Sequence, residues 1–77
     1  GRPDIRRARA AVDSYTRALA AARAAAAQAV EVLQITTGAF ELGATTNLEV
    51  IDAQRQARDA ESAAVIAEDN LRRARLE

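Results

Sequence analysis

Residues 40–54 read FELGATTNLEVIDAQ. A glycine, two adjacent threonines and an asparagine stand here between two long alanine-rich stretches. Gly43 suits the left-handed position just past a helix end, since it has no Cβ to clash there. Thr46 followed by Glu49 has the spacing of a capping box, in which the hydroxyl and the carboxylate each take a free backbone N–H at a helix start. Asn47 competes for the same N-cap position. A helix stop followed at once by a helix start reverses the chain, so two antiparallel helices are expected.

The flanks carry the matching periodicity. Ile5, Val12, Leu19, Ala26, Leu33 and Phe40 recur every seven residues, and Ala8, Tyr15, Ala22, Ala29 and Thr36 interleave with them. That is an a/d heptad seam, the stripe two helices need to pack along their length. A neighbouring line, Ala11, Ala18, Ala25, Val32 and Ala39, widens the apolar band beyond one seam, so the first helix can touch more than one neighbour. After the bend, Val50, Ala57, Ala64 and Leu71 alternate with Ala53, Ala60, Ala67 and Ala74, while Ile51 and Val65 begin a second line. The expected fold is all-α: helix 1 over about 4–42, a tip at 43–46 and helix 2 over about 47–76, forming a long coiled-coil hairpin suited to a larger bundle or barrel. Pro3 and Asp4 suit a first helical turn. Gly38, after Thr36 and Thr37, weakens the end of helix 1 and marks a place for a kink or an early stop.

Composition limits what such a chain can do. Apolar residues make up 49 % of its 77 residues, but aromatics are only 3 %, Tyr15 and Phe40. Alanine buries little area, so a hairpin seamed with it gains little from burial and is expected to need a partner. With no cysteine or histidine the chain has no disulfides and lacks the usual zinc ligands. With no lysine either, it lacks the common bases and nucleophiles, so neither enzymatic activity nor a cofactor is expected. Eleven basic residues balance eleven acidic ones, which argues against a nucleic-acid binder. Arg17 and Arg23 interrupt the best apolar run, and alanine faces suit helix packing better than lipid, so membrane insertion by this segment is not expected. No signal-peptide pattern opens the chain, so in an exported parent it is expected to lie downstream of the N-terminus.

The bend carries a more specific signal. An aromatic at Phe40, Gly43 three residues on, Thr46, then Leu48, Glu49, Val50, Ile51, Asp52, Ala53 and Gln54 together resemble the hairpin tip of TolC-like outer-membrane efflux proteins. The upstream AVEVLQITTGAFELG and the downstream QRQARDAESAAVIAEDNLRRARLE extend the resemblance over roughly residues 20–77. It implies a trimeric duct with a barrel in the outer membrane and an α-helical tunnel across the periplasm, whose hairpin tips meet a periplasmic adaptor (membrane fusion) protein. This chain would be one periplasmic hairpin of such a duct, without the barrel strands. Phe40, Leu42, Gly43, Ala44, Thr45, Thr46, Asn47 and Leu48 would then form the adaptor-docking tip, with Val50, Ile51 and Ala53 packing it. Phe40 matches a position often held by tyrosine, and Thr45 lies where some members carry a gating arginine. Neither side chain here supplies that polar latch. The alternatives are a generic antiparallel coiled-coil module, a dimer or higher oligomer on its own, and the hairpin of the adaptor itself, whose tip signature differs.

Overall fold

The computed structural model describes residues 2–76. Two helices, α1 (Arg2–Glu41) and α2 (Asn47–Ala74), pack antiparallel as a rod of 63 × 15 × 14 Å. The all-α hairpin is as the heptads require. At 1.5 Å per residue α1 is about 60 Å long and α2 about 42 Å, so α1 runs past its partner at the open end. Residues 2–10 are accordingly all exposed, Ile5 and Ala8 included, although both stand on the seam line.

The helix limits differ from the periodicity by small, physical amounts. α1 begins at Arg2, because Pro3 has no N–H to lose in a first turn. It stops at Glu41 because Gly43 adopts φ +75°. α2 stops at Ala74, before Leu76 turns to φ 60° and Arg75 N–H closes on the Leu71 carbonyl at 3.0 Å. α1 runs unbroken through Gly38 to Glu41. Helical hydrogen bonding outweighs the glycine penalty there, and the Leu42 N–H still reaches the Gly38 carbonyl at 3.2 Å.

The seam packs as its lines predict. Leu19, Val50, Ala53, Ala57, Ala67 and Leu71 are buried, and every one is an a or d residue. Leu19, Ala67 and Leu71 form the main cluster, with Val12 and Ala22 against it. The core is shallow: no side chain among the described residues is fully enclosed. A rod has much surface for its mass. The chain exposes 5876 Å², whereas a compact protein of its size exposes about 4,500 Å².

The two lateral faces of the rod differ. On one, Thr16, Ala20, Arg23, Glu68, Arg72 and Arg75 border a shallow groove. Arg23 bridges to Glu68 at 3.1 Å across the helices, and Glu68 also holds Arg72 at 3.1 Å. All three are about half-exposed or more, so the network adds on the order of 0.2–1 kcal/mol per pair and chiefly fixes the helix alignment. The other face follows the Ala25 and Val32 line of α1 against Gln56 of α2. By length and composition alone, α1 contains an 18-residue window apolar enough to cross a membrane, contrary to the expectation from its arginines. Alanine supplies much of that hydropathy, and Arg23 within α1 is ion-paired to α2.

Two predictions follow from the seam. Gly38→Ala, at a site where an added Cβ meets nothing within 4 Å, is expected to stabilise the hairpin by about 1 kcal/mol in a urea melt followed by circular dichroism. Leu19→Ala, in the main cluster, should destabilise it by about 2 kcal/mol or more in the same melt.

Candidate functional site

The tip is built by backbone hydrogen bonds that leave its side chains outside. Gly43 N–H donates to the Phe40 carbonyl at 2.9 Å, and Ala44 N–H to the Ala39 carbonyl at 2.8 Å. With Gly43 at φ +75° this pair is a Schellman closure, which satisfies carbonyls the helix end would otherwise leave open. The chain then turns into α2 at Thr46, whose φ −99° and ψ 157° are those of an N-cap. Its hydroxyl accepts from Glu49 N–H at 3.2 Å. Thr46, not Asn47, is therefore the cap, and Asn47 is the first helical residue.

Only one half of the capping box takes the anticipated form. The Glu49 carboxylate accepts a hydrogen bond from the Thr45 hydroxyl. Thr45 thus has a structural task at the tip, tying the turn to the first turn of α2. A carboxylate in that first turn also suits the positive end of the helix dipole.

What remains outward is apolar. Leu42 is 86 % exposed and Leu48 74 %, with Phe40 at 42 % beside them. Gly43 and Ala44 lie exposed between them, and a Cβ on Gly43 would meet no atom within 4 Å. The tip is thus a small convex cap with bare backbone at its summit. Leu42 and Leu48 are among the most exposed large apolar side chains of the described residues, as is Leu76 at the open end.

The residues read as tip packing divide. Val50 and Ala53 are buried in the seam between α1 and α2, while Ile51 is half-exposed and faces away from them. Val50 and Ala53 thus hold the two helices together directly behind the turn. Beside the tip lies an open groove of about 470 Å³, lined by Val32, Thr36, Leu48, Glu49, Asp52, Ala53 and Gln56. Asp52 is committed locally, accepting from Arg55 at 2.6 Å and from Gln56 at 2.8 Å. The groove was not anticipated from the motif. Its signal was the second α1 line through Val32, which runs alongside the seam into the tip. No group of three carboxylates converges to hold a metal ion among the described residues.

Comparison with protein-family models, with curated proteins and with solved structures returned no match.

The two turn residues have separable tasks. Gly43→Ala forces a Cβ into the left-handed region and is expected to destabilise by about 1–2 kcal/mol. Thr46→Ala loses the cap and should destabilise by about 1 kcal/mol. Gly43→Asn, which tolerates that backbone better, should lie closer to the parent protein in the same melts.

Proposed function

We propose that this chain is the periplasmic α-hairpin of an outer-membrane efflux or type I secretion channel. It forms part of a duct wall and docks a periplasmic adaptor protein through its tip, with no chemistry of its own. The observation that carries the reading is the coincidence of sequence and shape at residues 40–54. The residues that resemble the family's tip stand at the far end of a thin rod, with Phe40, Leu42 and Leu48 facing water around the bare backbone of Gly43. Turn closure and helix capping account for Gly43, Thr46 and Glu49. They give no reason for leucines on either side of the turn to face water, and a rod end that meets another protein does.

In this reading the partners are the adaptor and further copies of the channel chain, a trimer in the full-length family, and the hairpin lies in the periplasmic part of an outer-membrane protein. Phe40 presents a ring and no hydroxyl. Thr45 presents a hydroxyl already engaged with Glu49. The proposed tip therefore docks by shape and apolar contact rather than by a charged latch.

The test is a pull-down with the purified periplasmic adaptor of the same cell. Gly43→Arg, which places a long charged side chain at the summit, is expected to abolish capture while the circular dichroism spectrum stays helical. Gly43→Asn keeps the turn without that bulk and should retain most of it. Equal capture by the parent protein and Gly43→Arg overturns tip docking.

A further inference from the structure

The lateral face along Val32 is one of the exposed apolar surfaces of the rod. Ala18, Ala25 and Val32 are exposed along α1, and Ile35, one turn from Val32, is 66 % exposed. The groove beside the tip continues into a second one, of about 230 Å³, lined by Ala25, Gln28, Ala29, Val32 and Gln56. Val32 and Gln56 belong to both, so the apolar face is continuous over several helical turns. The opposite face, by contrast, carries the Arg23–Glu68–Arg72 network.

Charge along the rod is separated. Residues 31–61, the tip half, hold six carboxylates and two arginines. The remaining residues hold nine arginines and five carboxylates. The whole chain is neutral, yet one half has an excess of four negative charges and the other an excess of four positive. Two such rods laid side by side with tips together bring like charges into register. Laid tip to open end, they bring opposite charges into register. The line from Ala11 to Ala39 runs about 42 Å of the 63 Å rod, so pairing along it is lengthwise.

We infer that two copies of this chain pair antiparallel through the Ala18–Ala25–Val32 face, the tip of each against the open end of the other, as a four-helix bundle. The α1 line Ala11, Ala18, Ala25, Val32 and Ala39 is symmetric about Ala25, so a two-fold axis there sets Ala25 on Ala25, Ala18 on Val32 and Ala11 on Ala39. The same register brings Arg7 of one copy toward Glu49 and Asp52 of the other. Alanine at the crossing lets the two α1 axes approach closely, and Val32 and Ile35 supply the larger apolar groups. The pairing concerns the chain on its own and does not rest on the channel reading.

The chain has no cysteine, so single cysteines report the geometry. In sedimentation equilibrium at about 100 μM, well above the micromolar Kd of a modest interface, the parent chain is expected at twice its 8.2 kDa mass. Ala25→Arg should weaken pairing at least about tenfold, the loss of 1.4 kcal/mol or more. Ala27→Arg, exposed and off this face, should not. Under mild oxidation Ala25→Cys should form a disulfide dimer alone. Ala18→Cys and Val32→Cys should each fail alone and cross-link when mixed. A single-copy mass, or pairing unchanged in Ala25→Arg, overturns the inference. So does self-linking by Val32→Cys, which is what hairpins with their tips together give; that outcome leaves adaptor docking at the tip untouched.

Discussion

The register of the whole hairpin is set at one place, the reversal between Glu41 and Asn47. An α-helix turns by about 100° per residue. Ending α1 one residue earlier, or starting α2 one residue later, would rotate Val50, Ala53 and Ala57 out of the seam and bring polar positions into it. Two devices prevent this. The left-handed Gly43 stops α1, and the Thr46 hydroxyl on Glu49 N–H starts α2. With both fixed, Leu19 meets Leu71 and Ala67, and Arg23 meets Glu68, about thirty helical ångströms from the turn.

The turn must be this exact because the seam itself is permissive. Leucines are few along it, and alanine alternates with alanine for most of its length. Alanine buries far less apolar area than leucine, so each layer stabilises weakly and sliding by a heptad exchanges one alanine contact for another. What alanine offers instead is closeness. Among the described residues six are buried, three of them alanines. That closeness also leaves the outer lines of α1 near the surface, where a further helix can reach them.

The parts of the fold visible in the sequence are those governed by local chemistry or by a long repeat. Gly43, Thr46 and the a/d lines belong to these, since a left-handed turn, an N-cap and a heptad each depend on few residues. Gly38 was harder to read. Its intrinsic penalty is real, but a helix already long before it reaches Gly38, with a partner alongside, absorbs that penalty. Thr45 was harder still, because whether Glu49 turns to the Thr46 backbone or to a neighbouring hydroxyl depends on where the turn places both. The difference between the two lateral faces was only half legible. The α1 line through Val32 stood out in the heptads, but which α2 residues lie beside it depends on the register, and the register comes from three-dimensional closure at the turn. The tip signature was legible as a pattern.

The open end has a mechanical consequence. Both strands of the hairpin leave the rod at the same end, so a force separating them there acts across the seam rather than along it. The layers open one after another, starting near Leu71 and Leu19, and each resists only with the small contact area of an alanine layer. The same load directed along the rod would have to shear all the layers together. The hairpin is therefore weaker against being peeled than against being slid, and the turn at Gly43 is the last part to give way.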